Sequence, residues 1–294
     1  MKTLASLNPS VRMPVLFLGH GSPMNAVLDN QYRRSWQALG KRFDGDLTQE
    51  GHFPVPQLII CVSAHWLTHG WAVTGMEKPR TIHDFGGFPQ ALFDQQYPAP
   101  GSPQAAQDMA SQLGIAVDQA EWGFDHGTWS VLKPMFPAAN IPVLQLSLNW
   151  DAPPAAHYEF GKKLSGLRDL GVLIVGSGQL VHNLRLMDRS AIFDEGDQTS
   201  TPLPVDAWAK EFDDFVARHI ANGSLDQLAN FQDLGQVAKL SHPTYEHYLP
   251  ILYAAGASDE HDVPESFNTE IVAKNMALRS VIWNAKAQQV QSSR

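Results

Sequence analysis

Three histidines in this chain follow apolar runs of the kind that form strands, and a fourth sits in a polar turn. Residues 14–19 (PVLFLG) run straight into His20, and residues 58–64 (LIICVSA) into His65. Residues 172–178 (VLIVGSG) are followed four residues later by His182, and His247 lies in the stretch 243–248 (PTYEHY). In an open α/β sheet, ligands collect in the crevice beyond the carboxyl ends of the strands. Imidazole is the side chain best suited there to hold a first-row transition metal or to move a proton near neutral pH. Three such histidines after three strands, with a fourth nearby, point to one shared site.

The remaining histidines separate by their neighbours. His52, His69, His219 and His261 have polar or loop surroundings and read as surface residues, as does His157 at a helix start. His83, beside Asp84 in a glycine-rich loop, is a candidate substrate contact. His182 and His126 invite a proton-transfer reading, the first after a turn of small residues that could open a helix, the second between Asp125 and Gly127. Glu246 adjoins His247, and neighbouring residues on a helix point about 100° apart, so only one of the pair reaches a common metal. Three histidines, or two with a carboxylate, leave coordination positions free for substrate, which suits catalytic zinc or non-haem Fe(II). A closed structural zinc site needs thiols, and Cys61 is the single cysteine.

Composition bounds the rest. The 294 residues are 44% hydrophobic and 17% charged, with 30 acidic against 21 basic residues and a formal charge of −9. An acidic chain without basic clusters argues against nucleic acid and anionic membrane surfaces as partners. Residues 1–12 lack the apolar core of a secretory signal, and no run is long enough to cross a bilayer. A cytoplasmic protein, monomeric or a small homo-oligomer, is the expectation. Cys61 lies within an apolar run and reads as a small buried residue.

The elements that must position the histidines alternate. Strands are expected near 14–19, 57–64, 71–76, 142–148 and 171–176, with His65 emerging where its strand ends. Helices are expected near 30–42, from Pro103 (capped by Ser102) to 113, and over 154–170, 206–220 and 246–256. Residues 199–204 read as a loop, residues 122–129 as another, and the polar residues 288–294 as a frayed end. The turn 19–25 is rich in Gly, Ser and Pro, so its backbone can approach a ligand, with Ser22 a candidate contact. Trp66, Phe85, Phe88 and Trp129 are candidate walls of an aromatic pocket. No linker divides blocks of different composition. The expectation is a single α/β domain over 1–294, its core at about 13–285, with a central, mostly parallel sheet flanked by helices. Gly176, Ser177 and Gly178 do not match the spacing of a nucleophile elbow, and Ser177 reads as small for packing.

Seven ordered motifs carry a resemblance: LFLGHGSPMN (16–25), VSAHW (62–66), IHDFGGFP (82–89), YPAPG (97–101), WGFDHGTW (122–129), GSGQLVHNLR (176–185) and PTYEHYLPILY (243–253). Together they resemble the LigB-type class III extradiol ring-cleavage dioxygenases, in the 4,5-DOPA branch, from about residue 13 to about 285. The resemblance implies a metal at the strand ends held by His20, His65 and His247, with Glu246 as the alternative to His247. It also implies His182 over the open face as acid/base and, with zinc bound, a further ligand, and His126 against the substrate. Fe(II) is then expected for activity, with Zn(II) plausible as bound. The implied reaction opens a catechol such as L-DOPA beside its diol with O₂, giving a muconic semialdehyde. A zinc hydrolase using the same histidines is the rival reading.

Overall fold

The computed structural model describes residues 3–188 and 204–285. Most of the loop expected at 199–204, and the polar end expected at 288–294, lie outside the described residues. At the centre run four parallel strands, β1 (Val15–Gly19), β6 (Val172–Gly178), β2 (Leu58–Thr68) and β5 (Val143–Asn149). Almost every residue in them is buried. That is why they read as unbroken apolar runs: a parallel strand covered on both faces has no solvent side to alternate with.

Successive residues serve opposite layers. Val15, Phe17, Ile60 and Val62 pack on the side of α5 (Pro154–Leu164), α6 (Ala207–Ala221) and α8 (Leu249–Ala257). Leu16, Leu18, Ile59 and Cys61 pack on the side of α1 (Gln31–Lys41) and α4 (His126–Met135). α8 is buried along its whole length, as a helix apolar on every side must be.

The full sheet has eight strands in the order β4-β3-β5-β2-β6-β1-β10-β7, adding β3 (Ala72–Thr74), β4 (Ala116–Asp118), β7 (Asp262–Phe267) and β10 (Ser280–Ala285). β10 pairs antiparallel with β1 and β7 antiparallel with β10. Neither strand was expected from the sequence. β7 carries Pro264, tolerated because the strand is an edge. A short hairpin, β8 (Ile271–Val272) with β9 (Met276–Ala277), turns through Ala273 and Lys274 at φ 50° and 73°. Arg168, wholly buried, ties the far end of the sheet together: it pairs with Asp262 at 2.6 Å and donates to the carbonyls of Met13 and Ala257.

Several expectations need correction. β2 continues past His65 to Thr68, with a register shift against β5 between Val62 and Leu67. His65 is therefore turned out by an irregularity inside the strand, a device common beside active sites. His126 opens α4 and does not lie in a loop, because Asp125 caps that helix by accepting from the Thr128 N–H. The backbone after β6 opens no helix, and α8 begins at Leu249, so Glu246 and His247 sit in a turn. His157 is buried, its Nδ1 2.9 Å from the Tyr253 hydroxyl, because α5 packs closely on α8.

Candidate metal centre and active site

The carboxyl ends of β1, β2 and β6 converge on a cavity of ≈ 450 Å³. His20, the residue after β1, is 1% exposed and its N–H donates to the Gly178 carbonyl. His65 projects from the irregular part of β2. His247 comes from the turn before α8, locked to β6 by the Gln179 N–H donating to its carbonyl at 2.8 Å. One nitrogen from each of these imidazoles lies within 4.8 Å of the others.

The outer nitrogens settle which inner ones are free. Ser177 has a single hydroxyl hydrogen and donates it to the Gly127 carbonyl at 2.5 Å. Its oxygen, 3.0 Å from His20 Nδ1, must then accept from that nitrogen. His247 Nδ1 lies 3.1 Å from Glu246 Oε1, and a carboxylate only accepts. His65 Nδ1 lies 3.3 Å from Asp84 Oδ2. Each ring so presents Nε2 inward as a lone pair, and the Nε2 atoms of His20 and His65 stand 3.5 Å apart. Burial, then the neighbouring imidazoles, lowers the pKa of His20 and His247 well below the usual value; burial and then His126 do the same to His65, against Asp84. Three neutral imidazoles with their far nitrogens hydrogen-bonded or held beside a carboxylate fit a divalent transition metal.

Two more histidines face the same space. His182 lies flat on His247, ring centroids 3.5 Å apart and planes 13° from parallel. The His182 backbone N–H donates to the Ser241 carbonyl, and burial, then His126, lowers the ring's pKa to about 4. It is neutral near pH 7 and able to accept a proton. His126 sits with its ring centroid 3.9 Å from that of His65, its Nδ1 2.9 Å from Asp84 Oδ2.

Asp84 was not singled out from the sequence, although it stands in a quoted motif. Its carboxylate faces both His65 and His126, and Oδ1 accepts the His126 backbone N–H. Burial opposes its ionisation, but the hydrogen bond and the charge interactions from the two histidines prevail and hold it at about 2. Ser177 was read as packing and instead orients His20.

The rest of the cavity is lined by Ser22, Pro23, Phe85, Phe88, Gln179, Leu184, Met187 and Met276, among others. Ser22 also caps the short helix that follows it. Of the expected aromatic walls, Phe85 and Phe88 line the cavity. Trp66 stacks on Trp122 behind it, and Trp129 is fully buried with its N–H on the Ile82 carbonyl. His83 does not reach the cavity; its Nε2 is 2.9 Å from the Gln95 carbonyl.

Residues 14–280 match the family described as the catalytic LigB subunit of aromatic ring-opening dioxygenase. The chain belongs to the LigB family. A 4,5-DOPA dioxygenase extradiol of Escherichia coli K12 is 49% identical over 256 residues, which cover 85% of this chain and 87% of that protein. The protein of the same name from Beta vulgaris is 34% identical, covering 85% and 88%. A crystal structure of an uncharacterized protein from Escherichia coli K12 superposes with a TM-score of 0.74 at 39% identity, covering 92% of this chain and 99% of that one. This LigB chain is a ring-cleaving dioxygenase, of a family that depends on a non-haem metal, an aromatic substrate and O₂. No helix among the described residues is long and apolar enough to cross a membrane.

Proposed function

We propose that the protein cleaves the ring of a catechol, L-DOPA or a close relative, beside its diol, with Fe(II) held by His20, His65 and His247. The observation that carries this reading is the convergence of three inward Nε2 lone pairs on the floor of a cavity lined by Phe85 and Phe88. A bound metal supplies the electron transfer between an aromatic diol and O₂.

The chain's own residues do the rest. His182 accepts a proton from a diol hydroxyl as the substrate seats, since its ring is neutral and borders the metal-side ligand His247. His126, oriented by Asp84, contacts the substrate and with His182 returns a proton as the ring opens. Phe85 and Phe88, packed edge-on with centroids 5.5 Å apart, border the ring's path and limit water. Glu246 serves as the partner that fixes His247 and not as a ligand. Ser22 borders the substrate's entry, and His83 and Trp129 act behind Phe85.

The test is O₂ uptake with L-DOPA after anaerobic loading of metal-free protein with Fe(II), beside a Zn(II)-loaded control. Uptake with a yellow product in the iron sample alone is expected. No uptake across several catechols would turn the reading toward a zinc hydrolase.

A further inference from the structure

The cavity changes character from floor to rim. At the floor, His20 and His247 are buried; at the rim, Leu184 lines the cavity and is 45% exposed. Much of the remaining wall is apolar, with Pro23, Phe85, Phe88, Met187 and Met276. Met187 and Met276 belong to a small hydrophobic cluster of their own, with Ala273 and Leu278, apart from the two clusters that cover the faces of the sheet. The β8–β9 hairpin supplies most of it, and Ala277 bridges to Val181, the residue before His182. Apolar side chains that serve neither face of the sheet and border a cavity suit apolar ligand atoms. Methionine, with three rotatable bonds, adapts its shape to them.

Charge points the same way. The described lining residues include no Lys or Arg, and their one carboxylate, Asp84, faces His65 and His126. Arg279, shortly after Met276, pairs with Asp213 at 2.7 Å, and Arg33 donates to the Val27 carbonyl at 2.7 Å. An anion entering along this wall gives up water and meets no counter-ion among these side chains, a cost that an uncharged group avoids.

We propose that the ring substituent of the substrate is apolar and uncharged, seated against Leu184, Met187 and Met276 while the diol meets the histidines. Substrate choice then lies at the rim, away from the groups that hold the metal. L-DOPA, whose side chain is a zwitterion at neutral pH, ranks below a catechol of equal size with an alkyl chain.

The inference rests on the catechol reading and names its substrate class. The test is kcat/KM of the Fe(II)-loaded protein for 4-propylcatechol, dihydrocaffeate and dopamine, which end the same short chain in a methyl, a carboxylate and an ammonium. 4-Propylcatechol should exceed each charged relative by about 10-fold or more, chiefly through KM. Leu184→Arg places a cation at the exposed rim, where it stays hydrated. It should cut the preference for 4-propylcatechol over dihydrocaffeate by about 10-fold. Both substrates meet the same active fraction of one preparation, so the ratio is unaffected by lost metal or partial unfolding. A charged relative used as well as 4-propylcatechol by wild type, or an unchanged ratio in Leu184→Arg, would overturn the assignment and leave the catechol reading intact. Cleavage of none of the three would overturn both.

Discussion

Ser177 and His182 show how single side chains divide the work of the site. The Ser177 hydroxyl, by donating to Gly127, leaves His20 no option but to donate from Nδ1 and present Nε2. Partners of this kind typically contribute 10–100-fold in metal affinity. Ser177→Ala should therefore weaken metal binding by about that factor, measured by competition with a chelator, while secondary structure persists. His182 is the residue proposed to carry the proton chemistry, a role commonly worth about 10²–10⁴ in rate. His182→Ala should lower kcat within that range in the Fe(II)-loaded enzyme and leave most of the metal in place; full activity in that variant would refute its role. Both residues stand in one quoted motif, but only His182 announced itself, because an imidazole after a strand has few structural uses and a small residue has many.

Elements explain why the histidines meet. β6 runs between β1 and β2, and it ends in glycines because α8 presses on Gly176 at Pro250 and the turn carrying His247 presses on Gly178. A Cβ on Gly178 would collide with the His247 carbonyl oxygen. Gly178→Ala should displace that turn, lowering stability by about 1–3 kcal/mol, as overpacking does. It should also release metal more readily; a thermal melt and a metal assay would show whether both fall together. The strands were legible because burial on both faces forces continuous apolar runs. The outer strands β7 and β10 were not, since β7 mixes polar and apolar residues around Pro264 without a regular period, and both gain strand character only by pairing, β10 with β1 and β7 with β10.

For the molecule as a whole, buried neutral histidines set the response to acid. His157 sits under α8 with its pKa lowered by burial to about 4, against an ordinary 6.5. A group depressed in the folded state contributes its stability fully above the unfolded value and loses it as pH falls toward the folded one. The window is therefore from about 6.5 down to about 4, and between pH 7 and pH 5 this residue alone should forfeit about 2 kcal/mol. Unfolding midpoints in denaturant at the two pH values should differ accordingly, and the difference should shrink by that amount in His157→Gln. The sequence held a signal for this burial that went unused: His157 lies three, four and seven residues before Phe160, Gly161 and Leu164, on one face of α5.

The sequence by itself determined the α/β alternation, the buried parallel centre and the histidines that meet at its edge, because each leaves a local mark in residue type and period. Which nitrogen each ring presents, that Asp84 serves two histidines at once, and that Trp66, His83 and Trp129 stand behind the cavity wall were decided only by the tertiary structure. Those facts depend on contacts between residues far apart in the chain, and a hydrogen bond between such residues leaves no period in the sequence to read.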